Sequence, residues 1–293
     1  MKNYIKFITA LVGLSIIFCG SSCVSFKSGW ETSEVNKTTG DVNKLLQIAH
    51  GIEKNADTKE QVLDLITAFK DVEKVDPQNY YALWKIGNYN MLIGAAYSTK
   101  KKDKKGYYKE AIKYCEKAMS TNEKFLEMVT NDKDITDAAT ALTINEIDAM
   151  GYWYTARFYY FKECLAPLGR VINTKIVIQN NSMIELIDEL DPTWAGGGNY
   201  FSRGLYYIAV PEKFGGSKER AADEFDLAIK TGPDYLVNRW GRAKYLYDLV
   251  GDTVAARKDL EWVVAQDPHN SGNTYPWNVY FQEDATSMLA ARK

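Results

Sequence analysis

The chain has 293 residues, of which 46% are hydrophobic and 25% are charged, with a formal net charge of −2. These proportions are those of a globular protein. A charge so close to zero does not provide the basic surface that nucleic-acid binding requires, so we expect no nucleic-acid partner. The length does not force a division into domains, because stacked helical repeats can grow beyond the usual size of a single core.

The N-terminus reads as a targeting segment. Lys2 and Lys6 precede an apolar run at 7–18, and this run is shorter than the roughly 20 residues that span a bilayer. Small residues then lead to Cys23. A basic start, a short apolar core and small residues are typical of a secretory signal. We therefore predict a lipoprotein signal peptide at 1–22, with Cys23 as the lipidated N-terminal residue.

Two alternatives to lipidation stay open, namely a plain signal peptide and an uncleaved anchor. Gly20 stands where lipoprotein sites usually carry leucine, and Val24 and Ser25 follow the cysteine in place of aspartate. The absence of aspartate favours the outer over the inner membrane. The predicted location is therefore periplasmic and lipid-anchored, with a flexible polar tether at 23–40 and a helical domain at 41–293.

The helical domain begins with a helix from about Asp41 to Asn55. The second helix starts at a capping box formed by Thr58 and Gln61. Apolar positions in it are separated by four and three residues, and a proline follows five residues later. The residues of this set are Leu65, Phe69, Val72 and Pro77.

The next helix is predicted from about Asn79 to Ala96, with Gly87 as the small residue where paired helices cross. A basic run follows at 100–105, which we interpret as a solvated loop, with a membrane-surface contact as the alternative. The four-three-five spacing then recurs, with a glutamate in place of the proline. Its members are Ala111, Cys115, Ala118 and Glu123.

From Asp134 to Leu165 the pattern is helical and aromatic on all sides, which favours burial on more than one side. Pro167 and Gly169 end it, and a further helix starts by Asn173. That helix carries a degraded copy of the spacing at Asn180, Ile184, Ile187 and Pro192.

The segment 194–268 reads as four amphipathic helices, and a last helix is predicted at about 283–291. The second half of the segment 194–268 contains the four-three-five spacing twice, 35 residues apart. This separation is close to the roughly 34 residues of a tetratricopeptide repeat. The sequence thus predicts an all-α fold, an α-solenoid of tetratricopeptide-like helix pairs with about 11–13 helices. The two sets are Ala221, Phe225, Ala228, Pro233 and Ala256, Leu260, Val263, Pro268.

No motif in the chain indicates catalysis. His50 and His269 are the only histidines, and neither has a second ligand at helical spacing, so we expect no metal site and no cofactor. The glycines at 196–198 lack the rest of a dinucleotide or P-loop motif, and we interpret them as a flexible or close-packed helix start. Cys115 and Cys164 are more typical of a core than of a disulfide. The protein is not expected to be an enzyme.

The segment 194–233 contains a pattern that is more specific than the general tetratricopeptide spacing, and the segment 235–268 continues this pattern. Over these residues the chain resembles the TatT family, the T component associated with tripartite ATP-independent periplasmic (TRAP-type) transporters. The residues that carry the pattern are Arg203, Gly204, Tyr206, Pro211, Gly215, Gly216, Ala221, Phe225, Ala228, Arg242, Ala243, Tyr245, Leu260 and Asp267.

The resemblance implies a periplasmic lipoprotein that docks a substrate-binding P component, passes a small hydrophobic ligand and forms a homotrimer. Glu123, the basic run at 100–105 and the tail at 269–293 depart from the pattern. A stand-alone carrier of an apolar or lipidic ligand is an alternative function. A tetratricopeptide scaffold in envelope assembly is another.

In stacked repeats the first helix of each pair lines the concave surface, and Tyr, Trp and Arg dominate protein interfaces. We therefore predict a partner- or ligand-binding wall from such residues on these helices; the alternative is that the rings fill the core. The predicted residues are Trp153, Tyr154, Arg157, Tyr160, Tyr200, Arg203, Tyr207, Trp240, Arg242 and Tyr245.

Overall fold

The computed structural model describes residues 24–31 and 37–292, and this part of the chain contains helices and no strand. The predicted all-α fold is confirmed. The predicted signal peptide at 1–22 and the predicted lipidation residue Cys23 lie outside the described residues.

Fourteen helices make up the described body. They are α1 Val42–Glu53, α2 Lys59–Val75, α3 Tyr80–Ala96, α4 Lys101–Met119, α5 Glu123–Thr130, α6 Ile135–Ala138, α7 Ile147–Tyr159, α8 Pro167–Ile172, α9 Lys175–Leu190, α10 Trp194–Ala209, α11 Lys218–Thr231, α12 Leu236–Gly241, α13 Thr253–Val264 and α14 Tyr275–Ala290. Helix α7 continues into a π-helical segment, Tyr160–Cys164, and α12 continues through a second one, Arg242–Tyr247, and then Asp248–Val250. Short 3₁₀ turns occupy Gly29–Glu31, Ala139–Ala141, Ile144–Glu146 and Glu212–Phe214.

Local sequence explains where these helices start. Thr58 and Gln61 form the predicted capping box, in which each side chain satisfies a backbone N–H of the other residue. Asn79, Ser217 and Asp252 cap α3, α11 and α13 in the same way, each accepting a hydrogen bond from a backbone N–H of the first turn.

The repeated positions form the core of the array. The first three residues of each set on α2, α4, α11 and α13 are fully buried. The first three residues of the set on α9 are nearly as buried. Successive helices pack on each other from α1 to α4 and from α9 to α14, and α7 packs on α3, α4 and α9. Gly87 lies at the α3–α4 crossing as predicted, because a Cβ there would be 2.7 Å from the Cys115 sulfur.

Three predicted boundaries differ from the structure. The last helix, predicted at about 283–291, begins eight residues earlier, at Tyr275. The basic run at 100–105 forms the first turns of α4, which begins at Lys101, and is not a loop. The aromatic segment at 134–165 is interrupted before α7, because Thr143 and Glu146 form a second capping box that starts a new helical turn there.

The C-terminal helix closes the array. Helix α14 packs on α12 and α13. The Trp277 indole N–H also donates a 2.5 Å hydrogen bond to the side-chain oxygen of Asn88, which lies on α3, 189 residues away in sequence. Trp277 is buried and stacks on Phe281. The last helix therefore contacts the first half of the array as well as the neighbouring helices α12 and α13.

The described part of the predicted tether lies against the body. The Val24 amide donates to the Asn173 side-chain oxygen at 2.6 Å, and the Gly29 amide donates to a buried Glu116 oxygen at 2.8 Å. Phe26 and Trp30 pack on aromatic rings of α5 and the π-helical segment after α7. We call residues 24–31 the N-terminal segment; the flexible tether stays a prediction for the residues that follow.

Candidate ligand cavity and interaction surface

An apolar cavity of about 150 Å³ lies between helices α7, α9, α10, α12 and α14. Its walls are aromatic and aliphatic side chains together with a few uncharged polar ones, and no charged residue is among them. The aromatic lining includes Phe158, Trp194, Phe201, Tyr206 and Phe281. A cavity of this volume in a protein core can hold a benzene-sized molecule.

Helical spacing directs the lining side chains inwards. Phe201, Leu205 and Ala209 are four residues apart on α10 and all line the cavity, as residues at this spacing share one helical face. Tyr154 and Phe158 have the same relation on α7 and also line it. The two faces meet across the cavity.

The start of α10 is a left-handed kink that also borders the cavity. Ala195, Gly196 and Gly197 have φ values of +50°, +61° and +86°. Gly197 needs to be glycine for packing as well, because a Cβ there would lie 2.9 Å from the Cα of Ala228. The structure therefore supports the close-packed interpretation of the glycines at 196–198.

The cavity wall is uncharged at neutral pH. Burial raises the pKa of Tyr154 to about 12 and the pKa of Tyr245 well above its ordinary value. The side-chain nitrogen of Asn273 is buried without a hydrogen-bond partner in the described structure, and Asn273 lines the cavity.

The Lys162 side chain lies against two aromatic rings of the cavity wall. The Lys162 ammonium is 3.7 Å from the ring centroid of Tyr245 and 5.9 Å from that of Phe158. Burial, assisted by the neighbouring charge of Lys244, lowers the pKa of Lys162 to about 8. Most copies of the side chain are therefore charged at neutral pH.

Among the ten residues predicted to form the binding wall, Tyr154 and Tyr245 line the cavity. Four others are buried and bonded within the protein. Trp153 donates to Glu116 at 2.9 Å, and Trp240 donates to Asp284 at 2.7 Å. Arg157 donates to Asn180 and lies 4.1 Å from the Trp153 ring centroid, while Tyr160 packs on Phe26.

The remaining four are half-buried and lie on neighbouring helices. Arg203 pairs with Asp188 and with Glu224, and its guanidinium lies 4.9 Å from the Tyr200 ring centroid. The Arg220 guanidinium lies 4.0 Å from the Tyr207 ring centroid. Arg242 pairs with Asp226 and donates to Asp259 at 2.7 Å. Tyr200, Arg203 and Tyr207 are spaced by three and four residues and share one face of α10, and we call these three residues the arginine–tyrosine surface. Arg242 is apart from them, because its partner Asp226 and the Arg203 partner Glu224 lie on opposite sides of Phe225 on α11.

Sequence reasoning missed most of the cavity wall. Phe158, Phe201, Leu205 and Tyr206 were not among the predicted site residues, although the spacing of Phe201 and Leu205 places them on one face. Trp277 and Phe281 were missed as well, because they belong to the tail that carries no repeat signal.

Over residues 24–31 and 37–292 no group of three or more His, Cys, Asp or Glu side chains is arranged to hold a metal ion. His50 lies 3.1 Å from the Tyr81 hydroxyl, and His269 stacks on Tyr275. Cys115 and Cys164 are free and buried. Among the same residues, no helix has the length and apolar character needed to cross a membrane.

The fold and the cavity define a protein of helical repeats with an apolar cavity between its helices. The family model of the TRAP transporter T-component matches residues 90–293. The chain therefore belongs to the TRAP transporter T-component family, and it is a component of a TRAP-type transporter.

Two other comparisons add less. No curated protein matches the sequence. Among solved structures, the assembly chaperone of RpL4 (Acl4, residues 1–338) is similar at 12% identity and a TM-score of 0.37, over 86% of this chain and 98% of that chain. A likeness at that level supports no conclusion about this chain.

Proposed function

We propose that the protein is a periplasmic, membrane-tethered T component that docks a substrate-binding P component and passes it a small hydrophobic ligand. The observation that carries this proposal is the apolar cavity, found in a chain that belongs to the T-component family. The mechanism is docking and ligand transfer without covalent chemistry, and it requires no cofactor.

The cavity is the proposed ligand site. Its aromatic and aliphatic wall offers a ligand apolar surface and no charged side chain. The tyrosines that line it stay protonated across the physiological pH range because burial raises their pKa values. The ligand is therefore held by burial of apolar surface and released unchanged.

The arginine–tyrosine surface is the proposed docking site for the P component. Its rings and guanidinium group are the side-chain types that contribute most energy at protein interfaces. Arg203 is already oriented by carboxylates of its own chain, since it pairs with Asp188 and with Glu224. Side chains held in place in this way lose less conformational entropy on binding. Membrane tethering raises the local concentration of the partner.

The docking proposal is tested with the substrate-binding P component of a TRAP-type transporter from the same organism. Isothermal titration calorimetry of the two purified proteins should show binding, and Tyr207→Ala should weaken it about tenfold. Tyr107→Ala is the matched control, because Tyr107 is a half-buried tyrosine on α4, away from this surface. A wild-type protein that does not bind this P component contradicts the proposal.

The cavity itself favours a second candidate, a carrier of an apolar or lipidic ligand that acts without a partner. Ser202→Phe fills the cavity and should abolish binding of toluene, a probe of benzene size, as measured by isothermal titration calorimetry. Ser182→Phe is the matched control. Both serines are half-buried and donate to the carbonyl four residues earlier, but Ser182 does not line the cavity. Ligand binding without any affinity for the P component would favour the carrier.

A further inference from the structure

Three large apolar side chains are exposed on helices α8 and α9, close to where the described chain begins. Leu168 and Val171 on α8 are 51% and 69% exposed, and Ile178 on α9 is 65% exposed. We call these three residues the apolar patch. Leu168 and Val171 are three residues apart and share one helical face. Such a cluster outside the core indicates a surface that is covered by something else.

The N-terminal segment leads the chain to this patch. The Val24 amide is bonded to Asn173, the residue that follows α8, at 2.6 Å. The Phe26 ring is 5.1 Å from that of Tyr160, and Trp30 packs on Phe125. The bond from Gly29 to Glu116 holds the middle of the segment. The N-terminal segment is therefore held against the body at several points, and these contacts keep Val24 beside the apolar patch.

Cys23, the predicted site of lipidation, immediately precedes Val24. Adjacent Cα atoms are about 3.8 Å apart, so a lipid attached there leaves the protein next to the α8–α9 junction. The acyl chains and the apolar patch then share one side of the molecule.

The charges around the patch complement an anionic bilayer. The positive charges of Lys101, Lys104 and Lys105 act on the Cys164 thiol, which places the basic run beside the α7–α8 junction. Arg170 on α8 is exposed, and the Lys175 side chain is 73% exposed. Two of these cations already pair with carboxylates, Lys104 with Glu163 and Lys175 with Asp134, and Asp103 lies within the basic run. The excess positive charge therefore comes from the other lysines of the run and from Arg170. Basic groups around a short apolar face are typical of a surface that rests on phospholipid headgroups.

We propose that the apolar patch and the basic residues around it form a membrane-docking face, which rests on the bilayer that holds the lipid of Cys23. The N-terminal segment fixes the orientation of the body on that bilayer. This inference rests on the proposed lipidation of Cys23 and goes beyond the proposed docking of a P component.

The test uses the full lipidated protein in vesicles of phosphatidylethanolamine and phosphatidylglycerol. Val171→Cys carries an environment-sensitive nitrobenzoxadiazole label, and Val254→Cys, 80% exposed on α13, is the matched control. Cys115 and Cys164 are buried, and burial raises the pKa of both thiols, so they react slowly with the label. Brominated lipids should quench the label at 171 and leave the label at 254 unchanged.

A second variant tests the role of the N-terminal segment. Replacing both Phe26 and Trp30 by alanine removes its two ring contacts, so the label at 171 should lose its quenching while the lipid keeps the protein on the vesicle. Lipidated protein that is not quenched at 171, or is quenched equally at 254, overturns the proposal. The fluorescence of the label at 171 could instead shift to the blue without vesicles, and more strongly at higher protein concentration. That result would identify a second copy of the chain as the partner that covers the apolar patch, and it would also overturn the proposal. Absence of the acyl mass from the intact protein is a failure of the lipidation itself, which the mass spectrum identifies separately.

Discussion

At the scale of single residues, Glu116 joins several parts of the molecule. It is 3% exposed and accepts hydrogen bonds from the Trp153 indole and the Gly29 amide. Burial nevertheless dominates these bonds and raises the pKa of Glu116 from 4.5 to about 7. The N-terminal segment is thus attached to a carboxyl group that is half protonated near neutral pH.

This carboxyl group predicts a pH dependence of stability. The folded pKa lies above the unfolded one, so between pH 4.5 and about 7 the folded state binds more protons. The free energy of unfolding should therefore fall as pH rises through this range, by up to about 1.4 kcal/mol per pH unit. Denaturant unfolding of Glu116→Gln should show a flatter profile, while Glu110→Gln, exposed on the same helix, should match the wild type. An unchanged profile in Glu116→Gln would contradict the assignment.

Lys162 predicts a preference among ligands. Its ammonium lies against Tyr245 at the cavity wall, so it should attract an anionic group on an apolar molecule. Lys162→Met should weaken binding of benzoate and leave binding of the neutral toluene unchanged, as measured by isothermal titration calorimetry. In the wild type the advantage of the anionic probe should disappear as pH rises through about 8, where the lysine loses its proton. Equal losses for both probes would show that the charge is not involved.

At the scale of elements, the repeat spacing predicted the packing of the helices well. Ala221, Phe225 and Ala228 are fully buried because positions four and three residues apart face one neighbour. The π-helical continuations of α7 and α12 could not be read from the sequence, because a π-helical turn has no distinctive spacing of its own. Tyr160 and Arg242 lie in these continuations, which change the direction of their side chains.

The kink of α10 provides a test at this scale. Gly197 has φ +86°, and a Cβ would contact the Ala228 backbone, whereas Gly251 has φ +77° with open space around it. Both alanine variants have a strained backbone, which costs about 1–3 kcal/mol. Gly197→Ala should lose additional stability through its clash. Urea unfolding that gives equal losses for the two variants would show that the α10–α11 contact tolerates a side chain.

At the scale of the whole molecule, α14 converts an open array into one with an internal cavity. Trp277 and Phe281 line the cavity, and Trp277 bonds to Asn88 on α3. The sequence pattern placed the tail outside the repeats, and contacts across 189 residues leave no local signal. This is why the fold could be predicted from helical spacing, whereas most of the cavity wall could not.

Closure by α14 should contribute strongly to stability. Trp277→Ala should cost about 3–5 kcal/mol through the loss of a buried indole. Trp277→Phe should cost about 1–3 kcal/mol, because it leaves the Asn88 oxygen buried without a donor. Thermal unfolding with the same midpoint for the alanine variant and the wild type would mean that α14 does not hold the array closed.

The most direct test of the account is native mass spectrometry of the protein purified without detergent. We predict a small apolar molecule that is bound non-covalently to the wild type, is released unchanged on denaturation, and is absent from Ser202→Phe but present in Ser182→Phe. A wild-type protein that carries no such molecule from its native cells, or a Ser202→Phe variant that retains it, would contradict the assignment of the cavity as the ligand site.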